Sequence, residues 1–270
     1  MKQMLLALQF LTILPVKVRG EVSDMDLAGA TIFFPLAGAI QGLLIAITGL
    51  AALQIFGPDV VSGIVIIAGL LTSGGFDMDG LIDTFDALAV KATGDQAIDV
   101  EKRLTVMKGS TIGAIGAITM AATLLMKYVL LNALFHSVPL NAALCLVFLM
   151  PAFSKWVTVP AMSHGIPARK DGLGRIFLDN VRPLHVFLST FVVVALYLLV
   201  GRLYLFAAYG AKSVAFAGTI LFGLYIFSLL SGHFCLRKFG GLTGDNFGAM
   251  TEISEILFLM AASAWLGNHI

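Results

Sequence analysis

Long stretches without a single Lys, Arg, Asp or Glu dominate this sequence. Residues 27–58 contain none, and neither do residues 60–76, 109–126 and 183–201. Residues 140–162 are interrupted only by Lys155, residues 213–236 only by His233, and residues 250–267 carry Glu252 and Glu255 in their first turns. A bilayer core is crossed by a helix of about 20 mostly apolar residues, so these runs predict seven spans. Composition agrees: 59% of the 270 residues are hydrophobic and 12% charged, against about 25% charged in an ordinary soluble domain. Lipid offers no hydrogen bonds to a bare backbone, which leaves helices as the economical way across. The expected fold is all-α, a polytopic integral membrane helical bundle of about seven transmembrane helices forming one domain over 1–270. Pro35, Gly38 and Gly42 in the first run predict a kink or a partly re-entrant course there.

The first residues, M-K-Q-M-L-L-A-L-Q-F-L-T-I-L-P-V, are apolar but broken by Gln9 and Thr12, and no small-x-small cleavage site follows. Leu5, Leu8, Leu11 and Ile13 recur near helical spacing up to Pro15, which predicts a short, retained helix lying in the membrane interface.

Orientation follows from the Lys and Arg between spans. The N-terminal segment and the 76–111, 163–182 and 237–249 segments together hold 13 of them, whereas the alternate connections hold only Arg202 and Lys212. That division places the N-terminus and these segments in the cytoplasm, in a multi-pass protein of the cytoplasmic (inner) membrane. Every Asp or Glu except Asp59 falls on the same side. The chemistry is therefore expected to face the cytosol, in the segments 76–111, 163–182 and 237–255. A transporter would instead place its polar groups near the midplane. The net charge of +1 leaves no basic stripe for nucleic acid. Cys145 and Cys235 sit in apolar runs and read as small buried hydrophobes, not as a disulfide or zinc pair.

Against this apolar background, G-G-F-D-M-D-G-L-I-D-T-F-D-A-L (74–88) collects four aspartates within ten residues. If the segment is helical, Asp79, Asp83 and Asp86 share one stripe and Asp77 stands at the helix start. Carboxylates so placed raise one another's pKa unless a cation intervenes, and oxygen-only donors suit Mg²⁺, Mn²⁺ or Ca²⁺. Gly74, Gly75 and Gly80 would let backbone approach a phosphate closely. The plain alternative is that Asp77 and Asp79 cap the helix and the others are solvated. A second acidic group, G-G-L-T-G-D-N-F-G-A-M-T-E-I-S-E (240–255), reads as a bent loop holding Asp245 before a helix with Glu252 and Glu255. Basic partners for a phosphate are Arg103, Lys108 with Ser110, and Arg169 with Lys170. Lys155 lies inside a span, where an ammonium needs a partner. No Ser, Cys or His arrangement suggests a nucleophile. The residues alone thus point to a membrane enzyme with a divalent-metal, phosphoryl- or nucleotidyl-transfer site.

Six collinear motifs carry a resemblance: A-L-Q-F-L-T-I-L-P-V (7–16), F-F-P-L-A-G (33–38), T-S-G-G-F-D-M-D-G-L-I-D-T-F-D-A (72–87), M-K-G-S-T-I-G (107–113), A-R-K-D-G-L-G (168–174) and G-G-L-T-G-D-N-F-G-A-M-T-E (240–252). The chain resembles the cobalamin synthase family, adenosylcobinamide-GDP ribazoletransferases, over nearly its whole length. The resemblance implies a Mg²⁺-dependent last step of cobalamin assembly. In it a hydroxyl of α-ribazole, or of its 5′-phosphate, displaces GMP from adenosylcobinamide-GDP. It implies metal ligands among Asp79, Asp83, Asp86, Asp245 and Glu252, with Asp79, Asp83 and Asp245 carrying the chemistry; the role at Asp77 does not carry over, and its acid would be an extra ligand. Lys108, Ser110, Arg169, Lys170, Lys155 and Arg103 would contact substrate. The pattern departs from the family where His is usual at Asp77, at Gly109 and Thr111, and at Lys170–Asp171. Expected partners are the two substrates and membrane lipid, with a homo-oligomer as a further expectation. A CDP-alcohol phosphotransferase-like enzyme is the second reading, although its D-G-x-x-A-R opening is absent. A divalent cation transporter is the third.

Overall fold

In the computed structural model, which describes residues 1–109 and 111–266, helices follow the apolar runs. The chain opens with α1 (Lys2–Leu11) and α2 (Asp24–Ala30). A single 3-10 turn, Thr31–Phe33, leads into α3 (Phe34–Ala52). Next come α4 (Pro58–Ser73), α5 (Phe76–Leu88) and α6 (Gln96–Val106). Then follow α7 (Ala114–Ser137), α8 (Leu140–Trp156), α9 (Thr158–His164), α10 (Leu173–Asn180) and α11 (Pro183–Leu196). A π-helical stretch, Tyr197–Phe206, joins α11 to the short α12 (Ala207–Tyr209), and α13 (Ala211–Phe239) and α14 (Gly244–Leu266) complete the chain. Among the described residues six helical runs are long and apolar enough to cross a membrane, and α4 with α5 makes a seventh only if the two count together across a 90° bend.

The first run is one crossing from Asp24 to Ala52, neither broken nor re-entrant. Pro35 sits in the first turn of α3, where its missing N–H costs nothing. Gly38 and Gly42 are contact residues. A Cβ at Gly38 would lie 2.2 Å from the carbonyl oxygen of Pro151, and one at Gly42 would lie 2.1 Å from that of Phe148. This small-xxx-small stripe brings α3 against α8 backbone to backbone, the contact that replaces hydrophobic driving force inside lipid. α8 forms the axis of the bundle, enclosed from Leu146 to Val159 on nearly every side.

The N-terminal helix does more than lie in the interface. Ala7 is fully buried with Leu6 and Leu8 beside it, and α1 packs on α2 and α3. Lys2 holds it there through an ion pair of 2.6 Å to Asp26. Asp26 also closes a capping box with Ser23 at the start of α2.

The segment 76–111 holds two helices, α5 and α6. Gly74 and Gly75 both adopt left-handed φ (69° and 73°), which turns the chain through 90° between α4 and α5. α4 alone spans about 24 Å, and α5 then lies across the bundle end, outside the crossing segments, wedged between the beginnings of α14 and α7. Gly80 and Gly248 make this possible. A Cβ at Gly80 would meet the Asp245 carbonyl oxygen at 2.5 Å, and one at Gly248 would meet that of Asp77 at 2.9 Å. Gly80 therefore serves a helix contact.

Candidate functional site

Two backbone bonds bring the distant loops together. Leu242 N donates to Ile166 O at 2.8 Å and Ala168 N donates to Leu242 O at 3.0 Å, so the 166–172 loop runs beside the lead-in to α14. Gly241 is required at this crossing, because a Cβ there would lie 2.6 Å from Ala168 N. Thr243 caps α14: its Oγ1 accepts from Asn246 N at 3.3 Å while Asn246 Oδ1 accepts from Thr243 N at 3.0 Å. Asn246 then donates to Thr84 Oγ1 at 3.1 Å, tying α14 to α5. These caps hold Asp245 in the first turn of α14, facing α5.

A cavity of about 530 Å³ opens where α1, α5, α10 and the start of α14 meet. Its polar wall carries Asp77, Asp79, Asp245, Lys155, Arg169 and Arg175, and its apolar wall carries Phe10, Phe34, Phe76 and Phe177. Residues from all three expected segments reach it, but none of the described residues between 89 and 111 does.

The aspartates of α5 have diverged in their surroundings. None of them caps its own helix. Asp77 forms an ion pair with Lys155, a residue only 1% exposed, so the intramembrane lysine has its counter-charge. Asp79 is exposed on the cavity wall. Asp83 sits one turn on, and burial first, then the like charges of Asp79, Asp245 and Asp86, push it up to about 6. Asp86 departs from the stripe's expected role. Its two oxygens accept from Gly113 N and Gly116 N at 2.7 Å each, so it caps α7. Among the described residues no three His, Cys, Asp or Glu side chains converge as a ready-made metal cage.

Asp245 is faced by Arg169, with Nη2 3.3 Å from Oδ2. The guanidinium remains underused: its Nε and Nη2 are buried without hydrogen-bond partners. A half-buried guanidinium with two unpaired nitrogens beside an open cavity is a recognition element for a planar or tetrahedral anion.

The remaining expected site residues fall elsewhere. Lys108 and Lys170 line a separate groove of about 390 Å³ between α6 and the 168–171 loop, which shares Arg169 with the main cavity. Arg103 is buried and donates through Nη1 to Lys238 O at 3.0 Å, so it fastens α6 to the end of α13. Glu252 is buried behind the cavity, 2.6 Å from Lys127. Ser110 lies outside the described residues. Sequence reasoning did not anticipate Phe10, Thr243, Asn246 or Arg175. The amphipathic spacing of α1 signals a buried face, and T-x-x-N ahead of an apolar run is a cap signature.

The comparisons agree with this architecture. The model of the family described as cobalamin-5-phosphate synthase matches residues 3–263. An adenosylcobinamide-GDP ribazoletransferase of Thermodesulfovibrio yellowstonii is 37% identical over 95% of this chain and 94% of its own. Relatives of the same name from Desulfitobacterium hafniense (34%, covering 97% and 96%) and Geotalea daltonii (34%, covering 96% and 95%) are similar over as much of their lengths. No solved structure matches. A family match from one end of the bundle to the other, through α5, the 166–172 loop and the cap of α14, shows that this chain belongs to the cobalamin-5-phosphate synthase family.

Proposed function

We propose that this chain joins adenosylcobinamide-GDP to α-ribazole or α-ribazole 5′-phosphate, releasing GMP and closing the nucleotide loop of the corrinoid. The activity named for the relatives supports the reaction. The observation that carries it on this chain is the cavity in which Asp79 and Asp245 stand beside the partly unpaired guanidinium of Arg169.

The chemistry needs little more. A ribazole hydroxyl oxygen forms a bond to the phosphorus next to cobinamide, the bridging P–O bond of the pyrophosphate breaks, and GMP departs with that bridging oxygen. Arg169 would hold non-bridging phosphate oxygens through Nε and Nη2, and Lys155 and Arg175 raise the positive potential of the same wall. As Arg169 turns to phosphate, its hold on Asp245 weakens, which leaves Asp245 able to take the hydroxyl proton. The aromatic wall of Phe10, Phe34, Phe76 and Phe177 suits the flat, apolar parts of the substrates and excludes water.

The donor set fits Mg²⁺, which takes one or two carboxylates from a protein and fills its remaining positions with waters and phosphate oxygens. Asp79 and Asp83 would hold it, with Asp245 kept free as the base, and the crowding that drives Asp83 upward is what a cation would relieve. When bound, Mg²⁺ supplies charge neutralisation on the pyrophosphate and the leaving group. Asp77 and Asp86, engaged with Lys155 and the α7 amides, are not assigned as ligands. We further propose that the site faces the cytosol in the cytoplasmic membrane, on the strength of the Lys and Arg distribution.

The test is GMP release by purified protein with Mg²⁺ and both substrates. Release should require both, and should fall by at least about 100-fold in Asp79→Asn and in EDTA. Undiminished turnover in Asp79→Asn would remove the metal assignment, and no release from folded wild-type protein would remove the reaction.

A further inference from the structure

Behind the catalytic cavity, and sharing Ser73 and Asp77 with it, lies a much smaller one of about 20 Å³. The proposed reaction does not use it. Gln41 of α3, Lys127 of α7, and Glu252 and Glu255 of α14 form its polar wall. Lys127 Nζ donates to Glu252 Oε2 and to Glu255 Oε2, at 2.6 Å each. With both carboxylates ionised, two against one ammonium leave this cluster one negative charge in excess. The neighbouring Asp77–Lys155 pair is balanced and does not change that sum. Lys127, Glu252 and Glu255 are all buried inside crossing helices, where an uncompensated charge is costly.

A second, independent feature points into the same space. Gln41 is only 3% exposed. Its Nε2 donates to Gly69 O at 3.2 Å, which fixes the orientation of the amide, and its Oε1 then has no hydrogen-bond partner. A buried acceptor without a donor, beside an excess negative charge, is completed by a cation. The volume takes one water-sized particle and no hydration shell. The missing charge is a single positive one, which disfavours a divalent ion.

We propose that this cavity is a binding site for one monovalent metal cation of Na⁺ size, held by Gln41 Oε1 and the carboxylates of Glu252 and Glu255. The ion ties together α3 and α14 and, through the Gln41 bond to the Gly69 carbonyl, α4, immediately behind the Gly74–Gly75 turn from which α5 departs. It is a structural cation of the bundle and does not depend on which reaction the outer cavity performs.

The test is thermal unfolding of the full-length protein in detergent, without Mg²⁺, in NaCl, KCl or choline chloride at constant ionic strength. Na⁺ should raise the midpoint saturably, by about 2–4 °C, with little or no rise in K⁺ and none in choline. Glu255→Gln, which brings the cluster to zero net charge, should keep a measurable transition and lose the Na⁺ response. Gln41→Leu should weaken the response at least tenfold in half-saturating Na⁺. Equal midpoints in Na⁺ and choline would overturn the site, leaving a water or a shared proton as its occupant. A Na⁺ response unchanged in both variants would overturn it as well, by placing the ion elsewhere.

Discussion

Asp79 and Asp86 show how far one side-chain type can diverge within two turns of helix. The i, i+4, i+7 spacing made the stripe legible, because it depends only on helical periodicity. The fate of each carboxylate depends on groups far along the chain. Asp86 is spent on two amides 27 and 30 residues later, and Asp77 on an ammonium 78 residues later. Lys155 was readable as a charge in need of a partner, but nothing local named Asp77. The difference in partners predicts a difference in phenotype. Asp86→Ala strips the cap from α7 and should lower stability by about 1–2 kcal/mol, while leaving the Mg²⁺ concentration for half-maximal GMP release within about twofold of wild type. Asp79→Asn should do the reverse, changing the metal dependence and leaving the melting transition nearly in place. A Mg²⁺ requirement raised tenfold or more in Asp86→Ala would return that residue to the ligand set.

At the scale of the element, α5 owes its position to what it lacks. The sequence announces a helix there, and it announces glycines, but the same glycines suit a phosphate loop, a bend or a tight helix contact. Gly74 and Gly75 proved to be the bend and Gly80 the contact, a distinction that rests on the backbone of α14 arriving from 165 residues away. Gly80→Ala should therefore drive α5 off Asp245, because its Cβ would stand 2.5 Å from a backbone oxygen that cannot rotate aside. Lowered thermal stability and a loss of GMP release of at least about tenfold are expected, since displacements of about 1 Å at a catalytic constellation cost up to 100-fold. Gly63→Ala in α4, where a Cβ would meet nothing within 4 Å, is the control. It should be neutral or stabilising by about 0.5–1 kcal/mol. Equal losses in the two variants would mean that the helix backbone, not the α5–α14 contact, is what glycine supplies.

At the scale of the molecule, the spans were readable because lipid leaves a chain few choices. The expected seven correspond to six helical runs plus the α4–α5 pair. The interior was not readable in the same way. The pairing of Lys127 with Glu252 and Glu255 crosses between spans, and a single sequence does not say which faces meet. Orientation stands between the two, since it is carried by loop charges and not by contacts. Lys212 opens α13, whose 29 residues extend about 43 Å before Gly240 turns into the site. Lys91 lies between α5 and α6 on the site's side of the bundle. Lys212 and Lys91 are both exposed, and the native Cys145 and Cys235 are buried, so single added cysteines would report with little background. If the distribution of Lys and Arg sets the topology, a membrane-impermeant maleimide should label Lys212→Cys in intact spheroplasts and should label Lys91→Cys only after permeabilisation. The opposite pattern would put the catalytic cavity outside the cytosol, away from the pool of soluble nucleotide substrate. The charge asymmetry would then have to be explained by the site's own need for cations and acids, with no part played by membrane insertion.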